Sequence, residues 1–423
     1  MIKKVSVRKR VDTKDFLKFL SGRQKNELLA LSKKLKGKKI LHINATAAGG
    51  GVAEILQSLI PYLNALGLKS EWYAIDANAV DAAFFGFTKR LHNALQGSTT
   101  QFTEKEWKQY EDVNKKIAAA IEKKDYDILV IHDPQPLASI QYLKDKKPKI
   151  FFCHIDTSSP FQPSWNKVVP WIAQYDKIVF SNRDFVNKTL PFSKLDIFPP
   201  AIDPLALKQT IVQKKKARAY LANYGVPTKG SLVVQVSRFD IWKNPLGVIE
   251  AFLSILEKYS NVHLVLVGLE EAKDDPEGSV VYKEVKTVVG KNTHISLFYD
   301  TRGIASIAEF TMMAQNAADI IVQNSTKEGF GLVVTEAMWK AKPVVGGSAS
   351  GIRKQIVNGK SGFITKNSKD LADRIAYLLL NPKKRDEIGK AAKESVREHF
   401  LMPRLVLDHI KVYNELWHSQ NQK

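Results

Sequence analysis

Cysteine is nearly absent from this chain of 423 residues: Cys153 stands alone, which excludes an internal disulfide and a cysteine-built metal site and fits a reducing compartment. Long apolar runs are missing as well. No stretch reaches the roughly 18 residues of a membrane span, and the basic start MIKKVSVRKRVDTKDFLKFL has neither the apolar core nor the small-residue cleavage site of a signal peptide. These absences predict a soluble cytoplasmic protein with no membrane span. Also missing is a spaced G-x-G-x-x-G followed by an acidic residue, which argues against a nicotinamide-dependent dehydrogenase. Acidic residues are scarce beside basic ones, 43 against 64, for a net charge of +21. About half of that excess falls within the first 40 residues, which hold 14 Lys or Arg and 3 Asp or Glu. The apolar positions there (Phe16, Leu17, Leu20, Leu28, Leu29, Leu31, Leu35) describe an amphipathic, solvated helical extension. Docking to RNA or to a membrane surface is the competing reading.

What is present is an alternation of short β-branched runs with helical patterns, the mark of parallel sheets with crossover helices, over a length that predicts two domains. In the first half, strands are expected at KILHIN (39–44), SEWYAI (70–75), ILVIHD (128–133), KIFFCHI (149–155) and KIVFS (177–181), with a helix from Val52 to Leu66. Residues 78–120 read as a helical insertion over one sheet edge. The pattern repeats at LVVQV (232–236), VHLVLVG (262–268), HISLFY (294–299), DIIVQ (319–323), PVVGG (343–347) and GFIT (362–365). Asn244 and Pro245 mark a helix start as N-cap and first helical residue. We place a basic extension at 1–38, one Rossmann-like domain at 39–205, a second at 206–402, and expect the final helix, 403–423, to complete the first. Two doubly wound sheets bind ligands beyond their strands' carboxyl ends, so the fold class is α/β with two Rossmann-like domains facing across a cleft.

Three clusters carry chemistry. Gly49, Gly50 and Gly51 follow a strand and open a helix, where bare N–H groups attract phosphate. Arg238 and Lys243 lie on a strand-to-helix loop and can grip a diphosphate, one by its fork and one as a point charge. In KEGFGLVVTEAMWK the glycines Gly329 and Gly331 form a turn, and the amides of Gly331, Leu332 and Val333 open a helix toward a phosphate. Glu328 precedes that turn and Glu336 lies inside the helix. Each carboxylate suits vicinal hydroxyls, so a nucleotide sugar, with a hydroxyl-bearing ring on either side of its diphosphate, is the expected ligand. DYD (125–127) mimics a metal-binding D-x-D but leads into a buried strand, so no metal or other cofactor is expected.

The run Glu328-Gly-Phe-Gly-Leu-Val-Val-Thr-Glu336 resembles the E-x7-E motif of retaining glycosyltransferases of family 4, which have the GT-B architecture, and Arg238 with Lys243 resembles their R-x4-K clamp. GGGVAEIL (49–56), HNALQG (92–97), HDPQP (132–136), CHIDTS (153–158), PPAIDP (199–204), DDPEG (274–278) and EAMWKAKPV (336–344) are similar to signature stretches of its trehalose-forming group, the synthases and their phosphorylase relatives. The resemblance implies transfer of glucose from a nucleoside diphosphate glucose to free glucose, with trehalose phosphorolysis or another small acceptor as alternatives. It implies that Arg238 and Lys243 stabilise the leaving diphosphate, Glu328 binds the transferred glucose, Glu336 the ribose, and Gly50 and Gly51 let a helix approach the phosphate. His154 would face the sugar near its C6 hydroxyl and Asp156 would orient hydroxyls, while His132, Asp133 and Gln135 are acceptor-side candidates. The partners implied are sugar and nucleotide sugar, with no nucleic acid; a homodimer is compatible with the reading. Two departures stand out: SASGIRKQI (348–356) is more polar than the glycine-rich loop expected there, and Asn244-Pro245 replaces a glycine after the clamp lysine.

Overall fold

The computed structural model describes every residue except 8–9, 49, 270–275 and 422–423. Gly49, and Asp274 and Asp275 of the DDPEG stretch, therefore lie outside the described residues. The chain forms two compact units, Met1–Ala201 with Met402–Lys423, and Ile202–Leu401.

The first unit holds β1 (Ile2–Lys4), β2 (Lys39–Asn44), β3 (Lys69–Ile75), β4 (Ile128–His132), β5 (Lys149–Cys153), β6 (Lys177–Phe180) and β7 (Leu195–Ile197), in the order β1-β3-β2-β4-β5-β6-β7. All pairs are parallel except β1 with β3. Strands covered on both faces need apolar residues at nearly every position, which is why β2, β4 and β5 read as continuous runs. Leu41, Ile43, Leu129, Ile131 and Phe151 share one face and one core with Phe84, Phe87, Trp107 and Tyr110. Those aromatics come from the helices Ala82–Leu95 and Glu104–Ile121. The segment expected as an insertion over a sheet edge is thus the crossover from β3 to β4, and it covers a sheet face, because its aromatic stripes require a broad apolar floor.

The N-terminal segment also departs from a solvated extension. β1 adds an antiparallel edge strand; Phe16 is wholly buried with its ring centroid 4.6 Å from that of Tyr62; and the helix Gly22–Lys34 starts with a reciprocal Ser21–Gln24 capping box. Leu28 and Leu35, two of the apolar positions read from the sequence, are fully buried.

The second unit holds β8 (Ser231–Val236), β9 (Val262–Val267), β10 (Ile295–Phe298), β11 (Ile320–Gln323), β12 (Val344–Gly346) and β13 (Phe363–Ile364), all parallel, in the order β10-β9-β8-β11-β12-β13. This is the doubly wound order 3-2-1-4-5-6, and the chain reverses direction across the sheet between β8 and β11. The corresponding reversal in the first unit falls between β2 and β4. Each reversal opens a crevice beyond the strand ends, so topology alone singles out the loops after β2, β4, β8 and β11.

Candidate active site

In the second unit the loops after β8 and β11 meet. Lys243 Nζ lies 2.6 Å from Glu328 Oε2, with side-chain exposures of 17% and 12%. Ser325 Oγ donates to the same carboxylate oxygen at 3.3 Å. The Thr326 amide donates to the Trp242 carbonyl at 2.8 Å, and Lys327 Nζ sits 4.3 Å above the Trp242 ring. Arg238 points to Asp240 at 3.2 Å and is more than half exposed. Both expected clamp cations are therefore already held by carboxylates, on two different partners. Asn244 adopts a left-handed φ of 49° and accepts the Gly247 amide at 3.2 Å as the cap of Pro245–Leu256. That resolves one departure: asparagine supplies the backbone conformation a glycine would, and a cap as well.

The turn after Glu328 is fixed by the polar loop that replaces a glycine-rich one. The Gly351 amide donates to the Glu328 carbonyl at 3.2 Å, and Gln355 Nε2 donates to the Phe330 carbonyl while its oxygen accepts from Thr335. Gly331 is the N-cap of Leu332–Trp339, at φ 82° with no side-chain cap. Gly50 caps Gly51–Ala65 in the same manner, at φ 81°. Both helices begin with the amides of their first turn uncapped by a side chain, Leu332 and Val333 in one and Gly51 in the other, a ready anion site.

Glu336 stands apart from Glu328. Its side chain is wholly buried, with Oε1 2.6 Å from Lys208 Nζ and Oε2 accepting from Gln315 Nε2 at 3.1 Å. Burial pushes this carboxyl up, but Lys208 and Lys340 outweigh it and hold it below the usual range. Lys340 is itself buried, which lowers it to about 8 against the pull of Glu336. Glu336 has no exposed surface, so a hydroxyl can reach it only if the side chains around it move. Neither Lys208 nor Gln315 was singled out in the sequence; Lys208 lies in a proline- and lysine-containing stretch without strand pattern.

In the first unit the strand ends gather His132, Asp133, Gln135, His154 and Asp156. His132 is buried and bonds to His154, Nδ1 to Nε2, at 3.0 Å. Asp133 takes a positive φ of 61°, and its Oδ1 accepts the His154 amide at 2.8 Å; burial nonetheless raises its carboxyl to about 7. Gln135 Oε1 is buried without a hydrogen-bond partner among the described residues. Asp156 is used locally, accepting the Ser158 amide at 2.9 Å to close a turn. Cys153 is buried packing. In DYD, Asp125 pairs with the Lys39 side chain and Asp127 accepts the Lys39 amide at 2.8 Å.

Residues 218–395 match the family described as glycosyl transferases group 1. The fold is similar to that of the α,α-trehalose 6-phosphate synthase of Burkholderia multivorans, with a TM-score of 0.71 at 15% identity over 92% of this chain and 98% of that one. The protein is a glycosyltransferase of the GT-B fold, built from two Rossmann-like domains. Residues 42–187 match the N-terminal domain of trehalose synthase. The trehalose synthase of Rubrobacter xylanophilus is 39% identical over 92% of this chain and 93% of its own length. That of Pyrococcus horikoshii is 36% identical over 95% and 96%. A trehalose phosphorylase of Pleurotus pulmonarius is 25% identical over 80% of this chain but 52% of its own length. The chain belongs to the trehalose synthase family, and its chemistry is glycosyl transfer in trehalose metabolism. No helix among the described residues is long and apolar enough to cross a membrane.

Proposed function

We propose that the protein moves an α-linked glucosyl group from a nucleoside diphosphate glucose to the anomeric hydroxyl of free glucose, forming α,α-trehalose with retained configuration. The observation that carries this reading is the Lys243–Glu328 pair beside the uncapped helix start at Gly331, at the chain-reversal point of the second sheet. It joins a cation and open amides, which suit a diphosphate, to a carboxylate, which suits sugar hydroxyls. As the glycosidic bond breaks, negative charge grows on the diphosphate and positive charge on the sugar ring. Lys243, Arg238 and the amides of Leu332 and Val333 meet the first. No motif assigns a carboxylate to the opposite face of the sugar, as a double displacement would require. The leaving phosphate then takes the acceptor's proton on the same face, and this reading routes no step through a metal or other cofactor. His154 would bond a hydroxyl of the transferred sugar.

One observation favours phosphorolysis as a second reading: Glu336, the expected ribose ligand, is closed off by Lys208 and Gln315. The test gives purified protein glucose with either a panel of nucleoside diphosphate glucoses or α-glucose 1-phosphate. Trehalose formed only from a nucleotide donor supports the transferase and names the base. Trehalose formed from glucose 1-phosphate replaces it with the phosphorylase, and trehalose from neither removes both.

A further inference from the structure

His42 and His132 lie on the neighbouring parallel strands β2 and β4, His154 is the first residue beyond the end of β5, and the register sets the three on a diagonal. His42 of β2 lies opposite Val130 of β4, two residues short of His132; His132 lies opposite Phe152 of β5, two residues short of His154. A step of two keeps a side chain on the same sheet face. The rings therefore climb one face toward the carboxyl ends, with centroids 5.4 Å apart and planes inclined by 20° at both steps. They are also bonded in series: His42 Nδ1 to His132 Nε2 at 3.0 Å, then His132 Nδ1 to His154 Nε2 at 3.0 Å. Behind them the helix Met402–Asn421 supplies Tyr413, whose hydroxyl lies 3.3 Å from His42 Nε2 and 3.0 Å from His409 Nδ1.

Burial keeps these rings neutral, pushing His42 and His154 down to about 3, so each carries one N–H and one bare nitrogen. Such a series has two self-consistent patterns. In the first, Tyr413 donates to His42 Nε2, each ring donates onward from Nδ1, and His154 carries its proton on Nδ1. In the second every bond reverses, Tyr413 donates to His409, and His154 presents a bare Nδ1. The second also moves the His409 proton to Nε2, whereas the hydrogen bond this ring makes among the described residues is to Tyr413 through Nδ1. A buried N–H without an acceptor is costly: the second pattern leaves one on His409, which is 2% exposed, whereas the first leaves its free N–H on the half-buried His154 beyond the strand end, so the first pattern is favoured.

We propose that Tyr413, His42 and His132 are positioning residues that fix the proton of His154 on Nδ1, so that this histidine offers a donor to a sugar hydroxyl oxygen. The functional meaning of the relay rests on the reading of His154 as a sugar-facing group. The relay itself accounts for histidine at buried positions 42 and 132, where a hydrophobic residue would pack without any polar partner to satisfy.

Long-range 15N–1H NMR of histidine-labelled protein reads which ring nitrogen is protonated. The wild-type protein is expected to show His154 protonated on Nδ1. Tyr413→Phe removes one oxygen and is expected to shift a measurable share of that proton to Nε2. It should lower kcat roughly 10-fold, as loss of a partner behind an orienting histidine does, with the donor KM changed less than about twofold. Phe198→Leu alters packing against His409, whose ring lies 5.2 Å away, and breaks no bond of the series; it is expected to match wild type in proton position and kcat. A wild-type proton on Nε2, an unmoved proton in Tyr413→Phe, or an equal shift in Phe198→Leu overturns the proposal. The wild-type spectrum decides even if a variant fails to fold. It needs no substrate, so a protein that makes no trehalose would sink the functional reading while this result stood on its own.

Discussion

Lys243 and Glu328 are each other's partner at 2.6 Å with little exposure, so removing one strands a charge in the other. Lys243→Met is expected to lower kcat/KM by roughly two to three orders of magnitude, the scale of losing a group that meets developing charge. Glu328→Gln should cost nearly as much, and the double variant should be far less impaired than the two losses combined, because the pair acts as a unit. Additive losses in a double-mutant cycle would show that the two serve separate ends. Gly351 makes a sharper case. A Cβ there would stand 2.6 Å from Phe330 Cα and 2.7 Å from the Glu328 carbonyl oxygen, both backbone atoms that cannot rotate aside. Gly351→Ala must therefore shift the turn that carries Glu328, and a turnover loss approaching 100-fold is expected from a displacement of about 1 Å, with overall folding retained. Wild-type kcat in that variant would mean that the turn does not set the position of Glu328.

The edge strand Ile2–Lys4 and the helices after it show how a charged segment can still be structural. Phe16 is fully buried against Tyr62, on the helix that Gly50 caps. Phe16→Ala is expected to cost about 3–5 kcal/mol, the range for truncating a buried aromatic, read as a lower urea midpoint for the first unit. A cost below about 1 kcal/mol would make the segment the solvated extension that its charge suggested. The sequence made the second sheet legible because each of its strands is a short apolar run followed by a turn signal, and Asn244-Pro245 announced its helix. That Lys243, Glu328 and Gly331 belong to the strand-end loops after β8 and β11 was legible from spacing along those loops, while their roles belong to the proposed function. What escaped depends on pairing between distant segments. Lys208 and Glu336 are 128 residues apart along the chain, and the histidine ladder exists only once the register of β2, β4 and β5 is known. β1 and β7, three residues each, are too short for periodicity to reveal. The crossover helices between β3 and β4 were recognised as helical, but a pattern of apolar positions does not say which surface they will cover.

Across the whole molecule, buried titratable groups are unevenly divided, and this sets the order in which acid should undo it. The first unit buries His42, His132 and His409 and half-buries His154 as neutral rings, with His42 and His154 lowered to about 3 by desolvation. An unfolded histidine charges near pH ~6.5. Because the folded values are depressed, the stability these rings contribute is complete above pH ~6.5. It is then lost as pH falls toward their folded values, at about 1.4 kcal/mol per pH unit for each ring that must charge. Asp133 works in the opposite sense: burial raises it to about 7, so it favours the fold more as pH falls toward ~3.9, and it offsets one histidine over that window. Asp408 is raised for the same reason, which trims the loss further without reversing it. In the second unit His263 is lowered to about 4 by desolvation, while Asp319 and Glu336 are held below their ordinary values by lysine and arginine partners that outweigh their burial. The stability from those two carboxylates is present above pH ~4.5 and lost only as pH falls further. Between pH ~6.5 and ~4.5 the first unit should therefore weaken more steeply than the second. Amide hydrogen exchange at pH 7, 6 and 5, corrected for intrinsic rates, is expected to show protection lost first in β2, β4 and β5. The strands β8, β9 and β11 should follow only at lower pH. Earlier loss in the second sheet would mean that these histidines take up protons in the folded state without opening it, and that ion pairs around Asp319 and Glu336 set the acid limit instead.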